Sequence, residues 1–310
     1  MYIEKINSPE DLKKLNMDEC EILAEEIRKA LLKKASLQGG HLASNLGVVE
    51  LTMGIHYVFD VPKDKVIFDV SHQCYTHKIL TGRNHAFIDP DQYKSVNGYT
   101  NPKESEYDCF RVGHTATSLS LACGMAKARD LNGKKENIIA VIGDGSLSGG
   151  EALEGLDFGG ADIKGNLIII VNDNQMSIAE DHGGIYRNLK ELRENNGNAQ
   201  NNLFRAFGYD YRFVKNGNDL REVITALKEV KNIGHPVVVH VCTIKGKGYG
   251  YAETHKEKTH WVRPFEIETG EEKNPFNGER YDRIMRDYLI QKMKADKKVT
   301  TMIAAVPDSL

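Results

Sequence analysis

The sequence predicts an α/β protein: a doubly wound, mostly parallel sheet with helices on both faces. Three observations carry this. Short continuous apolar runs at Val66–Val70, Ile138–Ile142, Leu167–Val171 and Pro236–Cys242 suit strands buried on both faces rather than strands with one wet side. Segments with helical apolar spacing alternate with those runs, which is the pattern of βαβ units. Polar, glycine-rich clusters follow the runs, Gly143-Asp144-Gly145 after one and Asn172-Asp173-Asn174 after another. In an open parallel sheet, ligands bind at such carboxyl ends.

Taken in order, residues 1–16 read as an arm. A helix follows, capped near Asp18, with Leu23, Ile27, Ala30, Leu31 and Lys34 at helical spacing and a stop at Gly39-Gly40. The polar loop His41 to Gly47 leads into a helix from Val48 to Phe59. The Val66–Val70 strand ends in Ser71-His72-Gln73, and Tyr75 to Leu80 starts another helix. Residues 82–112 lack apolar period and read as a long ordered or mobile loop of functional type. Gly113 to Ser118 opens a small-residue helix reaching Asp130. Between the two central strands, Ser148 to Gly160 reads as a helix. Residues 175–200 read as a polar surface excursion. Tyr209–Val214 is a strand, Asp219–Lys231 a helix, and the Pro236–Cys242 strand runs into Thr243-Ile244-Lys245-Gly246-Lys247-Gly248-Tyr249. A helix at Tyr281–Lys294 and a strand at Val299–Val306 close the chain.

A chain of 310 residues, two-fifths of them apolar, holds one large α/β domain or two ordinary ones. Its 41 basic and 44 acidic residues are interspersed, giving a net charge of −3, and no basic stripe invites nucleic acid. The five cysteines show no Cys-x-x-Cys pair, so a reducing cytoplasm without structural zinc is expected. No apolar run has membrane-spanning length, and the N-terminus does not read as a signal peptide.

The chemistry concentrates at the strand ends. Asp144 offers a carboxylate and Asn174 an amide oxygen on adjacent loops, a pair suited to Mg²⁺ that keeps positions for phosphate oxygens and water. The glycines allow backbone N–H groups to approach a diphosphate at the start of the following helix. An ordinary βαβ unit with two polar turns is the plainer alternative. A dinucleotide fold is disfavoured because no Gly-x-Gly-x-x-Gly follows the strand. His41, His72 and His114 each lie where the sheet opens toward a ligand, next to Gly or Ser, and histidine suits proton transfer near neutral pH. His56, His85, His182, His235 and His240 read as structural.

Gly143-Asp144-Gly145 followed by Asn172-Asp173-Asn174 resembles the thiamine diphosphate motif. Beyond it, Gly40 to Leu51, His72 to Arg83, Glu104 to Asp108, Gly113-His114-Thr115, Asn172 to Ile178 and Lys245 to Tyr249 resemble the 1-deoxy-D-xylulose-5-phosphate synthase family of the transketolase superfamily. The resemblance covers roughly residues 1–270, the pyrophosphate-binding half of those enzymes. It implies that Asp144, the side chain of Asn174 and the backbone carbonyl of Met176 hold Mg²⁺. It places His72, Gly113, His114, Thr115, Gly145, Ser146 and Asn174 around thiamine diphosphate, with Tyr249 against the cofactor. It gives His41, His72 and His260 the proton transfers at the reacting carbon.

The implied reaction is a decarboxylative condensation of pyruvate with an aldehyde sugar phosphate, glyceraldehyde 3-phosphate, in a homodimer. The alternatives are the N-terminal subunit of a split transketolase and a non-catalytic cofactor-binding fragment. Residues 1–275 would form the diphosphate domain, and 276–310 a linker and the truncated start of a pyrimidine-binding domain. That domain's activating glutamate has no counterpart here, so a longer chain or partner is expected to supply it, and the isolated chain is expected to be inactive. Ser71, Thr76, Asp157 and the stretch Lys94 to Thr100 depart from the family pattern. These departures leave the cofactor ligands in place and fall on the acceptor side.

Overall fold

The computed structural model describes residues 1–276 and 278–302. Five strands, β1 (Lys65–Phe68), β2 (Ile138–Gly143), β3 (Leu167–Asp173), β4 (Asp210–Val214) and β5 (Val237–Cys242), form one sheet in the order β1-β2-β3-β5-β4. Every pairing is parallel. The principal helices are α1 (Met17–Gln38), α2 (Val49–Val58), α3 (Ser118–Leu131), α4 (Gly150–Asp162), α5 (Gly184–Glu194), α6 (Leu220–Val230) and α7 (Tyr281–Ala295).

Alternation along each strand explains the unbroken apolar runs. Ile139, Val141, Ile168, Ile170, Val237 and Val239 face one core, with residues of α1, α2 and α6. Ile138, Ala140, Ile142, Leu167, Ile169 and Val238 face a second core, with residues of α3, α4 and α5. With both faces covered, a polar residue on either face would be buried without water, so both parities are aliphatic. Each such side chain contributes about 1.5–3 kcal/mol by leaving water. The α3–α4 contact is close enough to require glycine: a Cβ on Gly155 would lie 2.8 Å from that of Leu119.

Four segments differ from the sequence reading. Asn16, not Asp18, caps α1. Its side chain accepts the Glu19 N–H at 3.0 Å while Glu19 accepts the Asn16 N–H at 2.9 Å. The N-terminal arm is docked: Ile3, Ile6 and Leu12 are buried, and Asn84 donates to the carbonyls of Ile3 and Ile6. Residues 82–112 include a helical turn at His85–Ile88 and a buried ion-paired cluster. Residues 175–200 contain α5, whose Leu189 and Leu192 fill the second core although the surrounding sequence is polar. Helix α7 forms as expected and buries no residue. Of the strand expected at Val299–Val306, residues 299–302 carry no strand, and the remainder lies outside the described residues. No described helix is long and apolar enough to cross a membrane.

Candidate cofactor and active site

Register assembles the first half of the site. In the β2–β3 ladder Gly143 pairs with Asn172, so the turns that follow both strands lie side by side. The Asp144 carboxylate bridges them. It accepts the Gly145 N–H at 2.9 Å, the Asn174 N–H at 2.9 Å and the Gln175 N–H at 2.6 Å. Gln175 takes a left-handed φ of 66°, which aims its N–H back at Asp144. The Asn174 side-chain oxygen accepts the Met176 N–H at 3.2 Å. Asp144 is 1 % exposed. Burial, followed by the charges of Asp173 and Asp181, pushes its carboxyl well above the ordinary carboxylate range. A buried carboxylate with backbone dipoles but no cation on it among the described residues is a fit for a hard divalent ion, with Asn174 supplying a second oxygen.

The surrounding turn is shaped for a close ligand. A Cβ on Gly145 would sit 2.6 Å from that of Ser177, so only hydrogen fits there. Thr115 Oγ1 lies 2.6 Å from Ser146 Oγ, joining the loop before α3 to the turn after β2. Gly113, His114 and Thr115 are exposed on that rim, and His114 Nδ1 contacts the Thr115 carbonyl at 2.8 Å. From α5, the Tyr186 hydroxyl reaches Ser148 Oγ at 2.8 Å and the Gly145 carbonyl at 3.3 Å. A cavity of about 660 Å³ lies between Asp144, Asp173, Met176, Asp181 and α5.

The second half is a histidine triangle. Ring centroids are 5.0 Å apart for His41–His72, 5.6 Å for His41–His260 and 5.3 Å for His72–His260. Asn45 holds two corners by donating from Nδ2 to the carbonyls of His41 and His72, each at 2.8 Å. The Gly40–Val262 bridge brings in the third. Before His72, Val70 and Ser71 both have left-handed φ, 58° and 65°. Such backbone costs about 1–3 kcal/mol per residue and persists only where surroundings enforce it. Here Ser71 Oγ donates to the Val112 carbonyl and accepts the Thr100 N–H, each at 3.1 Å. Burial lowers His41 to about 4, and burial with Lys245 and His41 lowers His260 to about 3. Burial, with the neighbouring histidines and Lys245, takes His72 well below its ordinary value. All three rings are neutral at pH 7. The buried Nδ1 atoms of His72 and His260 have no partner among the described residues.

Tyr249 is not brought to this triangle. Its ring packs with Tyr251 and Phe265 in the core, and its hydroxyl donates to the Ile267 carbonyl at 2.8 Å. Its one side-chain polar atom is therefore committed within the chain.

Sequence reasoning also passed over several residues. Lys245 is 2 % exposed and donates to the Ser177 carbonyl at 2.5 Å. Burial lowers it to about 8, against the opposing pull of Asp144 and Asp181. Burial raises Asp181 to about 6. Behind the metal-type turn, Asp173 accepts from Arg193 and from His240 Nε2, and His240 Nδ1 meets the Tyr211 hydroxyl at 2.7 Å. Asp173, His240 and Cys242 lie within 4.8 Å of one another, yet Asp173 is already neutralised by Arg193. Tyr99 stands edge-on to His41 at 5.9 Å. Lys245 left a sequence trace in the Lys-Gly-Lys-Gly-Tyr run, Asp173 in the Asn172-Asp173-Asn174 motif and Tyr99 in the divergent Lys94–Thr100 stretch.

A family profile described as 1-deoxy-D-xylulose-5-phosphate synthase matches residues 3–200. A second, described as transketolase, thiamine diphosphate binding domain, matches residues 110–299. The 1-deoxy-D-xylulose-5-phosphate synthase of Alkaliphilus oremlandii is 41% identical over 342 residues, covering 99% of this chain and 55% of the relative. A Geobacter sulfurreducens relative of that name, numbered 1, is 40% identical over 343 residues, covering 99% and 54%. The chain spans about half the length of these curated relatives. Among solved structures, Campylobacter jejuni transketolase aligns with a TM-score of 0.61 at 20% identity, covering 91% of this chain and 48% of that one. A Pichia stipitis transketolase mutant gives 0.62 at 16%, covering 90% and 45%. The chain belongs to the 1-deoxy-D-xylulose-5-phosphate synthase family and has the fold of the transketolase thiamine diphosphate-binding domain.

Proposed function

We propose that this chain binds thiamine diphosphate through Mg²⁺ and holds half of a site that condenses pyruvate with glyceraldehyde 3-phosphate, releasing CO₂. The observation that carries this reading is the buried Asp144 carboxylate, which has no cation bonded to it among the described residues and lies on the turn beside the one that carries Asn174. Asp144, Asn174 and the Met176 carbonyl would hold the metal. Gly113, His114, Thr115, Gly145 and Ser146 would line the diphosphate, and buried Lys245 would add positive charge on that side. Thiamine diphosphate, when bound, supplies the carbanion chemistry, and the protein supplies position and electrostatics.

The histidine triangle suits proton transfer. A neutral imidazole can accept a proton at one nitrogen while donating from the other, and burial keeps all three rings neutral. The buried Nδ1 atoms of His72 and His260, without a partner among the described residues, leave each ring a nitrogen not committed to the chain. Residues 1–275 would act as the diphosphate domain, and 276–310 would lead into a pyrimidine-binding domain supplied by a longer chain or a partner, in a cytoplasmic homodimer. The absence of any buried residue on α7 supports a further packing surface there.

The test is calorimetry of thiamine diphosphate with Mg²⁺ and with EDTA. Binding is expected only with the metal. Equal affinity under both conditions would overturn the assignment of Asp144 and Asn174.

A further inference from the structure

The wall beside His41 is an irregular loop, residues 97–108, fixed by charges buried beneath it. Arg83 donates to both oxygens of Asp108, at 2.8 and 2.9 Å, and His77 Nε2 lies 2.9 Å from the same carboxylate. The Asn101 N–H adds a fourth contact at 2.7 Å. Lys78 donates to Glu104 at 2.5 Å, and Glu104 in turn accepts the Asn97 N–H at 2.8 Å. Asn97 Oδ1 accepts the Tyr99 N–H at 3.0 Å, and the Thr100 N–H is tied to Ser71 next to His72. The loop thus carries Tyr99 on a frame shared with His72. Its ring stands half-buried and edge-on to His41, and its hydroxyl has no hydrogen-bond partner among the described residues.

We propose that Tyr99 is a specificity-determining residue whose phenol hydroxyl hydrogen-bonds a hydroxyl or carbonyl oxygen of a short hydroxy-aldehyde held against His41. The wall's own cations point to that chemistry. Apart from exposed Lys103, the loop offers an anion no free charge, because Lys78 and Arg83 beneath it are buried and consumed by Glu104 and Asp108. What it offers is a neutral group that both donates and accepts, the complement of an uncharged hydroxyl or aldehyde oxygen. This inference rests on the proposed function for its substrate class.

The test uses the full chain loaded with Mg²⁺ and thiamine diphosphate, with ¹³C-labelled histidine and tyrosine rings followed by NMR. D-glyceraldehyde is the probe, and propionaldehyde, which has the same three carbons and no hydroxyl, is the control. Saturable shifts of the Tyr99 and His41 rings are expected with D-glyceraldehyde. Tyr99→Phe should weaken its Kd about fivefold, the worth of one neutral hydrogen bond, and leave propionaldehyde and thiamine diphosphate affinities unchanged. An unchanged D-glyceraldehyde Kd in Tyr99→Phe, or no saturable shift of either ring, would overturn the proposal. Failure of the wild-type chain to bind thiamine diphosphate would instead refute the cofactor reading, while the aldehyde titration on the unloaded chain still decides Tyr99.

Discussion

Two buried aspartates of this chain meet opposite fates. Asp108 is enclosed with Arg83 and His77, whose attraction outweighs the penalty of burial and holds its carboxyl below the ordinary range. Asp144 is enclosed with backbone N–H groups and two other carboxylates, and its carboxyl rises. The first region is electrostatically complete within the chain. The second would be completed by the cation proposed for it. A buried charge the chain balances is scaffold, and one it leaves unbalanced marks a place for a ligand.

The comparison breaks most visibly at Arg83. Arg83→Met leaves Asp108 buried without its cation and should cost about 3–5 kcal/mol in urea unfolding, because the partner charge stays behind. Asp144→Asn, by contrast, should change the stability of the unloaded chain by about 1 kcal/mol or less.

Acid sharpens the contrast next. His41, His72 and His260, with buried His56 and His77, titrate below their ordinary value when folded. The unfolded chain takes up these protons near pH 6.5, so unfolding binds protons and stability falls as pH drops from 7 to 5. Each histidine contributes up to about 1.4 kcal/mol per pH unit below 6.5. Asp144 and Asp181, raised when folded, act with the opposite sign. They are two against five, so the urea midpoint should still decline. A flat midpoint would mean the rings are charged in the native state.

A smaller effect is expected at Lys245, a buried cation near Asp144. Lys245→Met should weaken thiamine diphosphate about tenfold, roughly 1.4 kcal/mol. Calorimetry checks this, and unchanged affinity would remove Lys245 from the site.

Much of this arrangement was legible because it is local or periodic. The strands announced themselves through short aliphatic runs, and Gly143-Asp144-Gly145 and Asn172-Asp173-Asn174 fell at strand ends, which register then set side by side. His41, His72 and His260 lie far apart in sequence. Motif resemblance grouped them before the fold placed their rings within 5.0–5.6 Å. What stayed hidden is non-local. The loop at 82–112 could be read as either ordered or mobile because its order comes from ion pairs between residues 25 or more positions apart, such as Arg83–Asp108 and Lys78–Glu104. Helix α5 hid because only Leu189 and Leu192 among its residues are buried. The bond from the Tyr249 hydroxyl to the Ile267 carbonyl also left no mark in the sequence. The cap at Asn16 was readable, since Glu19 stands three residues on as a capping box requires, but Asp18 was equally plausible by residue type.

The most direct test of the central claim is a ¹³C NMR titration of the Asp144 carboxyl, without and with Mg²⁺ and thiamine diphosphate. The midpoint should lie well above the ordinary value of about 3.9 in the unloaded chain, and no titration should be seen down to about pH 4 once both are added. An ordinary midpoint in the unloaded chain, or one that the additions do not move, would contradict the account.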